Sequence, residues 1–395
     1  MCSTRLGVFA LVLASGLALV ACNPASEAVQ TSVSVAEAMS GDTTGFARAD
    51  RVRDFAFPAD HGPHPDFKAE WWYVTGNLRA TDGTDRRFGV QFTVFRSALM
   101  PDTSASGRGS AWSTRQLYMA HTALGDVAAE RFYFEEQFAR GAAGLAGATA
   151  EPVAAYLGTA RLTEAGDPTG PLPMRIQGEA DGAAFDLTAQ PVKPIVFQGD
   201  RGLSQKGAGP GNASYYYAQT RMTTEGTVTL PGDDGPEVVP VEGLTWMDRE
   251  WSTSALDENQ VGWDWFALHL DDGRDLMLYQ LRQTDGSKDP LSKGSLVEVD
   301  GTKRPLDSSL YSLEPLGTWE SPLGGAYPVR WRLRVPSEGI DLEVTAAFEA
   351  QELDATVRYW EGAVDVTGTA SGTGFLEMTG YADGLSGNAR PTPTS

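Results

Sequence analysis

Cysteine is nearly missing from this chain: Cys2 and Cys22 are the only two in 395 residues. Everything after residue 22 is therefore without a disulfide and without a Cys-based metal site. Histidine is almost as scarce, at His61, His64, His121 and His269. His61-x-x-His64 lies in a Pro-rich loop rather than on a helix, with no third ligand assured, so no metal and no cofactor is expected. No G-x-S-x-G is present, and no motif ties a histidine to a serine, which argues against a serine hydrolase. Positive charge is also short: 31 Lys and Arg against 52 Asp and Glu leave a formal charge of -21. Nucleic-acid binding relies on basic side chains neutralising phosphates, so nucleic acid is discounted as a partner.

The N-terminus reads as an address. Arg5 precedes an apolar run, Leu6 to Val20, that is too short for a membrane span of about 20 residues and suits a signal peptide. Leu19-Val20-Ala21-Cys22 resembles the lipobox of bacterial lipoproteins, which implies cleavage after residue 21 and lipidation of Cys22. An ordinary signal peptide with a chance cysteine is the alternative. Several acyl chains would hold the protein on a bilayer. Asn23 is not the aspartate that retains enteric-type lipoproteins at the inner membrane, so the expected place is the cell envelope, with the outer membrane favoured. Residues 22–50, rich in Ala, Ser, Thr and Val, are expected to form a tether.

Beyond the tether the pattern is short strands. Glu70 to Leu78, rich in aromatic and β-branched residues, is followed by an Asp82-Gly83 turn and a second strand, Phe88 to Arg96. Further strands are expected at 116–124, 131–138, 174–180, 184–190, 214–222 and 226–230. The Gly- and Ala-rich 141–155 reads as a loop or one short helix. The second half echoes the first. Trp71-Trp72-Tyr73, Asp82-Gly83 and 88–96 reappear as Trp263 to Phe266, Asp272-Gly273 and 275–282; Phe185 to Ala189 reappears as Ile340 to Val344, and Tyr215 to Val228 as Tyr359 to Val364. Two tandem all-β units follow, 51–240 and 241–395, divided at the Pro/Gly/Asp segment Pro231 to Pro240, with 385–395 as a tail. Units of this kind are sandwiches or up-and-down barrels.

Aromatic residues and acids are concentrated from Gly243 to Leu281, with Trp246, Trp251, Trp263 and Trp265 beside Asp248, Glu250 and Asp264. Exposed tryptophan and buried carboxylate are both costly, so the mixture suggests a lined cavity. An acid walled by tryptophan is desolvated, and its pKa rises toward the range useful for donating a proton. Asp248 is the first choice for such an acid; pairing with an arginine is the plain alternative. The ligand-binding candidates are Glu70, Trp72 and Tyr73 in the first opening strand, then Trp251, Trp263, Trp265 and His269.

HPDFKAEWWYVTGNL, WMDREWSTS, GWDWFALHLDDG and YWEGAVDVTGTASGTGFLEMTGY resemble the AttH and hydroxyneurosporene synthase (carotenoid 1,2-hydratase) family. The resemblance covers roughly residues 55–382 and implies two lipocalin-like antiparallel β-barrels in tandem. Export, anchoring and an aromatic-rich lumen make the leading expectation an envelope lipoprotein that binds a hydrophobic small molecule or lipid, and the resemblance adds an ABC-type permease as a partner found alongside such proteins. The alternative is catalysis: a hydratase-like hydro-lyase, or a secreted hydrolase-like enzyme, acting on an isoprenoid or lipid double bond. Asp248 would then be general acid, with Trp246, Tyr217 and Asp264 assisting. Trp246 stands where the hydratases carry tyrosine, and Tyr215-Tyr216-Tyr217 lacks the histidine they show there.

Overall fold

The computed structural model describes residues 42–101, 114–253, 257 and 259–382. The first thirteen strands are β1 (Ala69–Ala80), β2 (Arg87–Ala98), β3 (Gln116–Asp126), β4 (Arg131–Arg140), β5 (Ala146–Ala150), β6 (Val153–Leu157), β7 (Ala160–Glu164), β8 (Met174–Ala180), β9 (Ala183–Pro191), β10 (Val196–Phe197), β11 (Leu203–Gln205), β12 (Ala213–Leu230) and β13 (Glu237–Ser252). They form one sheet, ordered β4-β3-β2-β1-β13-β12-β9-β8-β7-β6-β5, with β10 and β11 also on β12. The remaining ten are β14 (Gln260–Leu270), β15 (Asp275–Gln283), β16 (Lys293–Val297), β17 (Lys303–Asp307), β18 (Ser312–Glu320), β19 (Ala326–Val335), β20 (Ile340–Ala346), β21 (Glu352–Leu353), β22 (Tyr359–Gly368) and β23 (Gly372–Thr379). Their order is β17-β16-β15-β14-β23-β22-β20-β19-β18, with β21 on β22. The pairings are antiparallel. Each sheet curls around its own apolar core, giving an all-β protein of two tandem lipocalin-like barrels.

The two orders superimpose. In each, three further strands run outward from the first, and the last strand of the repeat returns to pair with the first. β1 corresponds to β14, β9 to β20, β12 to β22 and β13 to β23, so all three sequence echoes fall on equivalent strands. The turns explain the hairpins. Gly83 and Gly273 take φ of 89° and 87° at the β1–β2 and β14–β15 turns, and Asp181-Gly182 closes β8 onto β9 with both residues at positive φ.

Three expectations are corrected. The division at 240/241 falls inside β13, which lies between β1 and β12 of the first sheet. Pro231 to Pro236 is the β12–β13 hairpin loop, across which Leu230 pairs with Glu237, so Gly243 to Ser252 ends the first repeat and Gln260 begins the second. Residues 141–155 hold β5 and the start of β6 rather than a helix. The tether is shorter than expected at its far end, because Ala49 is buried in a cluster with Tyr215 and Trp251 and Phe46 is buried as well. Cys22 and the tail at 385–395 lie outside the described residues.

Alternation along each strand sorts side chains into three cores. Trp72, Val74, Met247 and their neighbours fill the first barrel. Phe266, Leu268, Leu278 and Trp331 belong to the core of the second. Between the sheets lies a third cluster that includes Tyr73, Tyr216, Trp246, Trp265, Tyr279 and Phe375. β1, β13 and β14 are thus buried on both faces over much of their length, which is why neither face of 244–250 is purely apolar.

Candidate active site

On the first sheet, Tyr73 of β1 stands directly opposite Asp248 of β13, and Asp248 opposite Ala218 of β12. On the second, Tyr279, Trp265, Glu377 and Glu361 form one transverse row across β15, β14, β23 and β22. Both rows face the space between the sheets. Tyr73 crosses that space to donate to Glu361 Oε1 at 2.7 Å.

Asp248 is 4% exposed. It accepts hydrogen bonds from the Tyr216 hydroxyl at 2.6 Å and from Trp246 Nε1 at 2.8 Å. No basic side chain among the described residues bonds to it. Burial pushes its carboxyl up to about 7, with Glu250 adding to the rise and the two hydrogen bonds and Lys206 opposing it. Glu377 is also pushed up to about 7, first by burial and then by Asp248 and Glu250, against a 2.9 Å bond from Trp263 Nε1. Glu361, cross-strand to Glu377, is held well above the ordinary carboxyl value by burial and by that neighbour. Two carboxylates placed directly opposite repel one another, so this pair keeps a proton. Glu250 completes the group, bonded to Ser214 and to Lys206 at 3.3 Å. Lys206, with its side chain 21% exposed, reaches between the rings of Tyr279 and Tyr216, 4.5 and 5.2 Å from their centroids. Burial opposes its charge, but Glu250 and the surrounding acids outweigh burial and raise its pKa.

Six of the candidates named from the sequence meet here: Trp246, Asp248, Tyr73, Trp263, Trp265 and His269. His269 gives its Nε2 hydrogen to the Thr220 carbonyl at 2.8 Å, and burial drops its pKa to about 4, so its unpartnered Nδ1 is a bare acceptor. The other five point elsewhere. Tyr217, one residue from Tyr216, projects to the opposite face and bonds His61 Nδ1 at 2.6 Å; Tyr216 takes the place expected for it. Asp264, between two tryptophans, turns away from both toward Arg282, Gln280 and Tyr381 at 2.7, 2.7 and 2.9 Å. Trp72 lies in the first barrel's core. Trp251 stacks on His64 at 3.7 Å. Glu70 is locked between Arg96 and Arg249; burial would raise its pKa, but the two guanidinium groups bring it below the usual carboxylate range. This second cluster ties the segment carrying His61 and His64 to the barrel and has the character of a structural ion network.

Sequence reasoning missed Tyr216, Glu361, Glu377, Tyr359, Tyr279 and Lys206. The available signal was a single acid inside an otherwise apolar strand, as in YWEGAV and FLEMTG.

A sequence profile of the family described as AttH-like matches residues 48–381. The crystal structure of an AttH from Nitrosomonas europaea is similar at 34% identity and a TM-score of 0.74, covering 85% of this chain and all of that one. The structure of kievitone hydratase from Nectria haematococca shares the fold, with a TM-score of 0.62 at 17% identity over 86% of this chain and 99% of that one. Among curated proteins, kievitone hydratase of Fusarium solani subsp. phaseoli is 23% identical over 216 residues, 52% of this chain and 59% of its own length. The dehydratase asqC of Emericella nidulans is 24% identical over 183 residues, 45% of this chain and 50% of its own length. The chain thus spans about half the length of the curated relatives it matches.

Proposed function

The chain belongs to the AttH-like family, and on that footing we propose that it is a hydro-lyase, adding water to, or removing it from, an apolar molecule held between the two sheets. The observation that carries the reading is Asp248: a buried carboxyl without an ion-pair partner, steadied by Tyr216 and Trp246 and raised to about 7. A neutral acid is what protonation of a carbon–carbon double bond requires. In the hydration direction the Asp248 proton passes to one alkene carbon, and the cation on the other is steadied by the rings of Trp246 and Trp265. Water attacks that cation and gives up a proton to the Glu361–Glu377 pair. Dehydration is the same path reversed. The names of the relatives, a hydratase and a dehydratase, support this class of reaction over binding alone, and both readings require the same apolar ligand site.

The test is incubation with a panel of isoprenoid and fatty-acyl alkenes in ¹⁸O-labelled water, followed by mass spectrometry of alcohol products. Asp248→Asn should lower turnover by ~10²-fold or more, the usual worth of a general acid; unchanged turnover in that variant refutes the assignment. Export and anchoring through Cys22, and association with an ABC-type permease, belong to the same proposal. The lipobox and the family resemblance support them. Mass spectrometry of the N-terminal peptide from the protein's own membranes would test the anchor, and an unmodified Cys22 would overturn it.

A further inference from the structure

The acids between the sheets need a route for protons. Glu361 is 1% exposed and Asp248 4%, so neither exchanges freely with bulk water. One side of the site offers a chain of polar groups that the proposed reaction does not use. Glu136 on β4 has a side chain 16% exposed and is fixed by Thr356, whose backbone N–H and hydroxyl bond to its Oε2 at 3.0 and 2.9 Å. Its Oε1 faces His121 Nε2 at 3.0 Å. His121, itself buried, faces the Tyr359 hydroxyl with Nδ1 at 2.8 Å. Tyr359 and Glu361 are two residues apart on β22 and so share one face of that strand, with Tyr359 favouring the charged form of the carboxyl, while Tyr73 donates to Glu361 Oε1.

The arrangement is directional. A carboxylate at Nε2 places the imidazole hydrogen there and leaves Nδ1 to accept from the phenol. The ring is held in that pose by Phe95 and Phe134, which meet it edge-on at 5.5 and 5.6 Å between centroids, and by Tyr359, stacked at 5.7 Å. A histidine that only filled a core would not need a carboxylate that reaches solvent on one nitrogen and, on the other, a phenol that shares a strand face with a second buried carboxyl. Glu361 Oε2, meanwhile, has no protein partner.

We infer that Glu136, His121 and Tyr359 form a proton relay connecting solvent with Glu361. As Glu361 gives its proton to the Tyr359 oxygen, the phenol proton passes to His121 Nδ1 and the Nε2 proton passes to Glu136, which loses it to water. Tyr359, His121 and Glu136 each receive one proton and give one, Glu361 is the net donor and water the net acceptor, and no electrons move. The reverse sequence loads Glu361. The relay rests on the hydro-lyase reading for its purpose, since it empties and refills the acid pair between turnovers, but conduction itself needs no substrate.

The experiment is infrared spectroscopy of the full chain during rapid mixing from H₂O into D₂O, following the carbonyl stretch of the protonated buried carboxyl. Glu361→Gln identifies the band by removing it. His121→Gln keeps hydrogen-bonding groups toward Glu136 and Tyr359 but cannot pass a proton, and should slow deuteration of the band by ~10²-fold, the scale of an acid–base group's effect on proton transfer. His121→Ala should be slowed similarly and restored by added imidazole, a rescue that a purely structural histidine would not show. Deuteration at the wild-type rate in both variants overturns the relay, as does a slowed His121→Ala that imidazole leaves unchanged. Neither result would bear on turnover by Asp248, which the labelled-water experiment measures separately.

Discussion

Replacing Asp248 by asparagine should stabilise the protein in alkali and leave it nearly unchanged in acid. Asparagine keeps the volume and an oxygen for Trp246 Nε1, and the Tyr216 hydroxyl can accept from the new amide. What changes is the titration. Raising an aspartate from 3.8 to about 7 is a differential of about 4 kcal/mol between its neutral and charged forms. The sign follows from proton counting. The folded state holds the Asp248 proton up to about 7 while the unfolded chain releases it near 3.8, so across that window the native state binds more protons and wild-type stability falls as pH rises. The contribution is fully present below the lower value and lost above the higher one. Asparagine has no such dependence. Its advantage over wild type should grow from near zero in acid to about 2–4 kcal/mol above the upper value, the lower figure allowing for relaxation around the charge. Asp248 also raises Glu377, so its loss relieves that neighbour in the same direction. Urea unfolding followed by tryptophan fluorescence at a series of pH values gives the difference directly. Parallel stability curves for the two proteins would mean that Asp248 ionises normally, and a normally ionised aspartate could not be the neutral acid that the proposed reaction needs.

Tyr216→Phe removes a hydrogen bond that favours ionised Asp248, so the Asp248 carboxyl should titrate at a higher pH by NMR; Tyr217→Phe should leave that titration alone and cost about 1–3 kcal/mol of stability through the His61 bond it breaks. Arg249→Met leaves buried Glu70 with one guanidinium instead of two and should destabilise by about 3–5 kcal/mol near neutrality. Because Glu70 is lowered in the folded state, its contribution is present above 4.5 and is lost as pH falls through the folded value, so the urea midpoints of variant and wild type should converge in acid. Asp275 on β15 binds Thr220 and Arg221 of β12 and Lys193 of the segment between β9 and β10, each at 2.8 Å. Asp275→Ala leaves one buried and one part-buried cation without their carboxylate and should cost about 3–5 kcal/mol in urea unfolding; a cost below about 1 kcal/mol would mean that these cations reach water.

The strands and their duplication were legible because turn chemistry and aromatic content are local: two Asp-Gly turns and two Trp-rich opening strands stand at matching places. The repeat boundary was not, since Pro231 to Pro236 has the composition of a linker and the geometry of a hairpin loop. Period-two alternation separates Asp264 from Trp263 and Trp265, and Glu70 and Trp72 from Trp71 and Tyr73, so half of the site's membership could be read from spacing alone. The choice between Tyr216 and Tyr217 could not. It depends on the register of β12 against β13, which shifts between Gln219 and Met222, and a one-residue slip moves every side chain to the other face. Glu361 and Glu377 were hidden for another reason: each is unremarkable in its own strand, and only the fold sets them opposite one another.

The correspondence of the repeats bears on why the acids gather where they do. Tyr73 on β1 faces Asp248 on β13; at the equivalent places in the second repeat, Trp265 on β14 faces Glu377 on β23. Each repeat thus carries an aromatic–carboxyl pair at the seam where its last strand closes onto its first, on the face turned outward from its own barrel. A carboxyl on that face of an isolated barrel would be solvated and would titrate normally. Stacking the two outer faces removes both acids from water at once, and burial is the leading cause of the rise to about 7 at each. Neither barrel core has to accommodate these two acids, so the barrels can remain packed while the acids are buried by the contact between them. The repeats then diverge at one position: Asp248 meets Ala218 on its far side, whereas Glu377 meets Glu361. That difference makes one acid solitary and the other a proton-sharing pair, so that a molecule between the sheets would meet a proton donor on one side and a proton acceptor on the other.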